Sequence, residues 1–203
     1  MPIGHEEIVG IVIVASFAAG LNVYATVATL GLLGHTTYLQ LPPTLHGLTE
    51  WWVIGIAAVL FAVEFVADKI PAFDMLWNAM HTFIRVPIAA FLSYRATAHL
   101  SPTAQMIATA AGGLIALASH SGKTAVRAAV TPSPEPFSNI ALSAGEDAAA
   151  IGLTWFATKH PYVAVAIVVV ALVIMVSFIR WLVRAMKRLF RGARQEAHAL
   201  EAG

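Results

Sequence analysis

Charged and amide side chains interrupt stretches of this chain that are otherwise apolar, and their chemistry needs an explanation. Where such a stretch crosses a membrane, an Asp, Lys or Arg at its centre costs about 2.5–3.5 kcal/mol, so these residues converge on one another or on water. The candidate substrate-binding or ion-coupling residues are Asn22, Glu64, Asp68, Lys69, Arg85, His120, Lys123, Glu146 and Asp147.

Opposite charges among these candidates predict buried ion pairs. We expect Glu146 and Asp147 to pair with Arg85 or Lys123, and Glu64 to pair with the remaining cation. Such cations could bind an anionic substrate, and desolvation favours the neutral form of a carboxyl group, as proton coupling requires. The leading hypothesis is a secondary transporter or lipid flippase for an anionic substrate. The alternatives are an enzyme in the membrane that uses His120 with the two acids, and a structural protein whose ion pairs only join helices.

Two short segments predict breaks within helices. The segment 119–122 (SHSG), which follows two glycines at 112–113, lies near the middle of one apolar stretch, and Gly20–Leu21–Asn22 lies at the matching place in another. Interrupted helices at corresponding places in two halves of a membrane protein are typical of transport sites. Backbone N–H groups freed in segment 119–122 could hold an anionic group beside Lys123 and His120.

The sequence gives little support for a phosphate-binding loop or a metal site. The segment 121–124 (SGKT) ends like a phosphate-binding loop, but the first glycine of that motif would fall at Leu117. No histidines are paired at i, i+4 and there is no cysteine, so a metal site would need distant residues. We therefore predict no cofactor, no metal and no nucleic-acid partner.

Composition predicts an all-α, polytopic membrane helix bundle. Of 203 residues, 59% are hydrophobic and 11% are charged, against about 25% charged residues in an average soluble domain. A spanning helix needs roughly 20 mostly apolar residues, and six stretches qualify. They run from about Ile8 to Leu33, Trp51 to Ile70, Asp74 to Ala98, Thr103 to Val130, Phe137 to Phe156 and Tyr162 to Val183. The third either crosses with a kink at Pro87 or re-enters on the same side.

The C-terminal segment 184–203 is predicted to be a basic amphipathic tail that binds anionic lipids. Its charges, with the last ones of the sixth stretch, recur at helical spacing: Arg180, Arg184, Lys187, Arg188 and Arg191. A positive flank that only sets topology is the alternative. Both interpretations place this end in the cytoplasm, and six spans then place both termini there.

Two similar segments indicate an internal repeat. FVADKIP at 65–71 and WFATKHP at 155–161 share A-x-K-x-P and lie about ninety residues apart, each at the end of a span. They predict two inverted three-helix repeats, 1–100 and 101–183, unless the likeness of span ends is chance. Ala141, Gly145 and Ala149 have the four-residue spacing of closely packed helices, or else of a homodimer contact.

Three segments carry a family resemblance: FAAGLNVYATVATLGLLG, EFVADKIPAFD and SPEPFSNIALSAGEDAAA. Together they resemble the bacterial membrane family catalogued as domain of unknown function 4126, over about residues 10 to 175. The resemblance implies a multi-pass helical protein of the bacterial inner membrane and no particular activity. The positions that match the family's polar signature are Asn22, Glu64, Asp68, Lys69, Pro71, Asp74, Pro134, Glu135, Pro136, Ser138, Asn139, Glu146 and Asp147.

Overall fold

The chain folds into helices joined by short connections. The computed structural model describes residues 5–36, 38–130 and 136–201, and the side chains of residues 7–36, 38–70, 77–130 and 140–188. Over this part there is no strand, which confirms the predicted all-α class. The helices are α1 (His5–Leu21), α2 (Val23–His35), a 3₁₀ helix (Pro43–Thr49), α3 (Trp51–Ala67), α4 (Pro71–Ala96), α5 (Pro102–Val130), α6 (Pro136–Ala157) and α7 (Pro161–Glu201).

Proline marks where four of the long helices begin. Pro71, Pro102, Pro136 and Pro161 are the first residues of α4, α5, α6 and α7. A proline at this position loses no helical hydrogen bond, because the first N–H groups of a helix have no partner within it. Pro87, by contrast, lies inside α4, which remains one helix of 26 residues. This stretch therefore does not turn back at Pro87.

At one end of the bundle, named here the Lys159 end, several helix ends lie close to the α6–α7 turn. The Lys159 ammonium lies 4.2 Å from the centre of the Tyr38 ring, just beyond α2. The rings of His35 and Trp51 pack 4.3 Å apart, which brings the end of α2 to the start of α3. A Cβ built on Gly10 would lie 3.2 Å from Pro161 at the start of α7, so α1 also begins here.

The opposite end, the Lys69 end, joins the end of α3 to the end of α5. Arg127, near the end of α5, donates a hydrogen bond of 3.4 Å to the backbone oxygen of Asp68, which follows α3. Helices α3, α5 and α7 therefore run towards the Lys69 end, and α4 and α6 run back. Lys69 and Lys159 lie at opposite ends of the bundle.

Helices α1 and α2 fold back on each other as a helical hairpin. Ile8 near the start of α1 and Leu30 near the end of α2 line the same cavity, and Ala15 packs in the same apolar cluster as Leu30. In one straight helix, Ala15 and Leu30 would be about 22 Å apart. Both legs of the hairpin therefore begin or end at the Lys159 end. Its tip, Gly20–Leu21–Asn22, is buried inside the bundle.

The hairpin corrects the predicted first span. The sequence predicted one crossing from Ile8 to Leu33 with a break at Gly20–Leu21–Asn22; the break is confirmed, but the chain folds back there instead of continuing in one direction. Asn22 takes an extended backbone (φ −149°, ψ 105°), which ends α1 and reverses the chain before α2. Five described helices, α3 to α7, thus run between the two ends, and the hairpin enters from one of them.

Glycine allows α1, α4 and α5 to approach closely. A Cβ on Gly20 would overlap the side chain of Ser119 and the backbone of Ala116 in α5. A Cβ on Gly112 would overlap Ser93 of α4 and come within 3.0 Å of the Ser16 hydroxyl of α1. At Gly20 and Gly112 the helices are therefore too close together for any side chain larger than the hydrogen atom of glycine.

The bundle carries apolar side chains outside and charged ones inside. Phe83, Met106 and Trp52 are 83%, 71% and 67% exposed, whereas Arg85 and Lys123 are almost fully buried. Among the described residues, Pro161–Arg188 is long and apolar enough to cross a membrane, and Pro43–Thr49 with Trp51–Ala67, bent by 62°, passes the same test only as a pair. Charged residues lower the hydropathy of α4 and α5.

The small residues of α6 do not serve the close packing predicted for them within the chain. Ala141 and Gly145 are exposed, and a Cβ on Gly145 would meet nothing within 4 Å. Only Ala149 packs against the core, beside the apolar cluster of α1, α6 and α7. The homodimer contact remains a prediction.

Candidate functional site

The hairpin tip is held by the side chain of Asn22. Its Oδ1 accepts a hydrogen bond of 2.9 Å from the N–H of Ala25, which caps the N-terminus of α2. Its amide nitrogen donates at 2.8 Å to Oδ1 of Asp147 in α6. One side chain therefore begins α2 and ties the tip to a buried carboxyl group.

Cations from two other helices bind the C-terminal end of α1. Nη1 of Arg85 donates to the carbonyl of Gly20 at 3.3 Å, and Nζ of Lys123 donates to the carbonyl of Leu21 at 3.1 Å. The last carbonyls of a helix lack partners within it and carry the negative end of its dipole, so cations stabilise them. Arg85 of α4 and Lys123 of α5 thus provide hydrogen-bond donors for backbone carbonyls that the end of α1 leaves unpaired.

The same cations belong to a buried ion-pair network that joins α3, α4, α5 and α6. Arg85 binds Glu64 directly, and Lys123 lies 3.8 Å from the same carboxylate. Lys123 also lies 3.1 Å from Oδ2 of Asp68 and 3.1 Å from Oε2 of Glu146. Arg127 contacts the same two oxygens, at 2.9 Å and 2.6 Å. Side-chain exposure rises along the network, from 0% at Glu64 to 12% at Glu146.

Asp147 pairs with none of the described cations. The described cations of the network are Arg85, Lys123 and Arg127, and each pairs with a carboxylate of Glu64, Asp68 or Glu146. Within the described part of the chain, Asp147 bonds only to Asn22, and its Oδ2 is buried without a hydrogen-bond partner. Among the described side chains, the network thus has four carboxyl groups and three cations.

His120 links the network to α4 as a neutral ring. Its Nδ1 lies 2.8 Å from Nη1 of Arg85, and because a guanidinium only donates, Nδ1 must accept. The proton then resides on Nε2, which lies 3.1 Å from the carbonyl of Asn78 and 2.8 Å from the hydroxyl of Thr82. His120 positions Arg85 and adds no charge.

Eight of the nine candidate residues come together, and Lys69 does not. The ammonium of Lys69 donates at 2.7 Å to the carbonyl of Phe65 and lies over its ring, outside the network. Arg127 was not predicted, although it lies one helical turn after Lys123. The side chains of Pro71, Asp74, Pro136, Ser138 and Asn139, and all of Pro134 and Glu135, lie outside the described residues.

The predicted pairing is confirmed in part. Glu146 pairs with Lys123, and Glu64 pairs with Arg85, the remaining cation. Asp147 pairs with neither cation, contrary to the prediction.

The predicted interruption of α5 is wrong. Residues 119–122 continue the helix, which runs unbroken over 29 residues. Ser119 contributes by donating from its hydroxyl to the carbonyl of Phe17 at 2.9 Å, across to the hairpin. No freed N–H group of this segment is available to hold an anion; the one break at the site lies in the hairpin.

The comparison with known families agrees with the resemblance of the three segments. The family model described as "Domain of unknown function (DUF4126)" matches residues 9–181. The chain belongs to this family. No curated protein and no solved structure matches it. The whole network of this DUF4126 protein, from Asn22 to Asp147, lies within the matched residues.

Proposed function

We propose that this protein is a proton-coupled secondary transporter, or lipid flippase, for an anionic substrate in the bacterial inner membrane. The observation that carries the proposal is the bond between Asn22 and Asp147. It joins the tip of a helical hairpin to a carboxyl group with which none of the described cations pairs. Broken helices that meet charged residues at their break are the usual construction of secondary transport sites.

A membrane location is supported by the apolar exterior and the charged interior. In lipid, polar groups must be satisfied within the protein, whereas a soluble protein places most of its charges on the surface. We place the Lys69 end in the cytoplasm, because Arg180, Arg184, Lys187 and Arg188 follow the apolar part of α7. These basic residues are proposed to bind anionic lipids; the side chain of Arg191 lies outside the described residues.

The hairpin changes the expected topology. With five crossing helices, the N-terminus lies outside the cell and the C-terminus inside, instead of both in the cytoplasm. The opposite placement of Lys69 and Lys159 supports inverted halves, 1–100 and 101–183, as part of the proposal.

Asp147 is the proposed proton carrier. Neutral Asp147 gives the described part of the network equal numbers of positive and negative charges, because Glu64, Asp68 and Glu146 already match its three cations. Loss of its proton adds a buried negative charge beside the hairpin tip, which only the amide of Asn22 contacts. Burial of an unpaired charge is costly, so proton loss favours opening of the tip to water.

A structural role is the rival that the geometry supports next. All three described cations of the network have carboxylate partners, as in a network that only fastens helices. Against this, a buried ion pair is often no more stable than apolar side chains of the same volume. An enzyme built on Asp147, Glu146 and His120 has less support, because both nitrogens of His120 are engaged.

The test is proton flux in liposomes that hold the purified protein and a pH-sensitive dye. Inward gradients of acetate, succinate or inorganic phosphate are imposed in turn, and a fluorescent phosphatidylglycerol assay follows headgroup movement. We expect one of these substrates to move protons in a way that Asp147→Asn abolishes. If no substrate moves faster than in protein-free liposomes, and Asp147→Asn unfolds as readily as Glu64→Ala, the network is structural.

A further inference from the structure

Two cations on α5 share the same two carboxylate oxygens. Lys123 and Arg127 lie one helical turn apart, and both contact Oε2 of Glu146, at 3.1 Å and 2.6 Å. Both also contact Oδ2 of Asp68, at 3.1 Å and 2.9 Å. The pair therefore forms a cradle for two negatively charged oxygens, and the protein's own side chains occupy it.

Of these two occupants, Glu146 is the one that can leave. Its side chain is 12% exposed, against 1% for Asp68 and 0% for Glu64. It stands on α6 and reaches the cradle from the more open part of the network. A rotation of its side chain away from α5 would remove one of the two carboxylates that Lys123 and Arg127 share.

A hydroxyl group without a partner lies on the same helix. Ser143 is fully buried, and its Oγ has no hydrogen-bond partner. It lies one turn before Asp147 and three residues before Glu146, on the buried face of α6. Buried hydroxyl groups are nearly always bonded, so an unbonded one within a helical turn of the carboxylate that occupies the cradle points to a ligand that accepts from it.

We propose that Lys123, Arg127 and Ser143 form an oxyanion site that the carboxylate of Glu146 occupies until a substrate displaces it. The ligand is a carboxylate or a phosphate group, carried either by a small solute or by a lipid headgroup. The inference rests on the proposed function only in identifying this ligand with the transported anion. Glu146 acts as a tethered competitor, so the apparent affinity equals the intrinsic affinity multiplied by the small fraction of molecules in which it is displaced.

The experiment measures anion binding without transport. Detergent-purified protein is titrated with inorganic phosphate, with acetate and with a short-chain phosphatidate, by calorimetry and by thermal unfolding, at constant ionic strength set with chloride. We expect Glu146→Gln to bind at least one of these probes about tenfold or more tightly than the unaltered protein, because the competitor is gone. Tighter binding of phosphate or acetate identifies a small solute; tighter binding of phosphatidate alone identifies a headgroup.

Matched variants separate this site from a general effect of charge. Glu50→Gln removes the same charge at an exposed position before α3 and should leave binding unchanged. Ser143→Ala, added to Glu146→Gln, should weaken binding again. Where Glu146→Gln is too unstable to titrate in chloride, its melting temperature should still rise with at least one of the three probes.

Binding by Glu146→Gln no tighter than by Glu50→Gln would overturn the proposal, whether or not the protein transports anything. So would tighter binding that Ser143→Ala leaves unchanged, because the hydroxyl would then take no part. Loss of stability that no probe restores would also overturn it, since Glu146 would then be a structural partner of Arg127.

Discussion

The amide of Asn22 donates to the carboxyl group of Asp147 at 2.8 Å, between residues 125 positions apart in the chain. The same amide group caps α2 through its oxygen, so the conformation of the hairpin tip depends on Asp147. A change in the protonation of one carboxyl group can thereby reach a whole helical hairpin.

Replacing Asp147 by Asn should separate coupling from folding. An amide has nearly the same shape and can still accept from Asn22, so we expect the free energy of unfolding to change by less than about 1 kcal/mol. Proton flux driven by the substrate should be lost, because Asn carries no exchangeable charge. The measurement is melting in detergent beside flux in liposomes, with Glu50→Gln as the control. Unchanged proton coupling in Asp147→Asn would remove Asp147 from the mechanism.

Asn22 should matter to stability through two separate bonds. We expect Asn22→Ala to lower the free energy of unfolding by about 2–4 kcal/mol, from the lost cap and the lost donor to Asp147. Asn22→Ser should recover the cap alone, because Ser caps helices well but is too short to reach Asp147. Chemical unfolding in detergent measures both. Equal losses in the two variants would mean that the bond to Asp147 carries the whole effect.

The pair Glu64–Arg85 lies at the fully buried centre of the network. Glu64→Ala should cost about 3–5 kcal/mol, because it leaves the Arg85 guanidinium without its closest carboxylate. The double variant Glu64→Leu with Arg85→Met should cost less than either single change, since two apolar side chains need no partner. Unfolding of the single variants Glu64→Leu and Arg85→Met and of the double variant closes the cycle. A double loss equal to the sum of the single losses would show that the two charges do not act as a pair.

Gly20 should tolerate no larger residue. A Cβ there would overlap Ser119 and the backbone of Ala116, so we expect Gly20→Ala to cost about 1–3 kcal/mol by overpacking. Gly55 lies in α3 with nothing within 4 Å of its Cβ position, so Gly55→Ala should be neutral or stabilise by up to about 1 kcal/mol. Melting temperatures of the two variants, compared in one detergent, test the close approach of α1 and α5. A similar shift in both would argue against it.

The positions of the helices could be predicted from the sequence, but the direction of the chain through the first one could not. Gly20, Leu21 and Asn22 indicate a break because glycine and asparagine are weak in helices. A break does not fix the angle that follows it. The fold-back depends on the cap by Asn22 and on partners more than sixty residues away, such as Arg85.

Most members of the network were predictable because buried charge is costly wherever it occurs. Their pairing was not, since it depends on which faces of four helices meet. Arg127 was missed because it stands only three residues before the end of α5, where a basic residue is an ordinary flank of a membrane helix. A break was predicted at residues 119–122 because the segment contains a glycine and two serines. Close packing against α1 and α7 keeps the segment helical instead.

Chemical labelling can decide between the hairpin and a first crossing. The chain has no cysteine, so single cysteines at Glu7, Gln40, Lys69 and Lys159 can each be tested with a membrane-impermeant maleimide in intact cells. The hairpin brings both of its ends to the Lys159 end, so Glu7, Gln40 and Lys159 should react from the same, outer side. Lys69 should react only after the cells are opened, because it lies at the other end. A single crossing would place Glu7 and Gln40 on opposite sides. That pattern would return the count to six spans and contradict the helical hairpin whose tip carries the bond to Asp147.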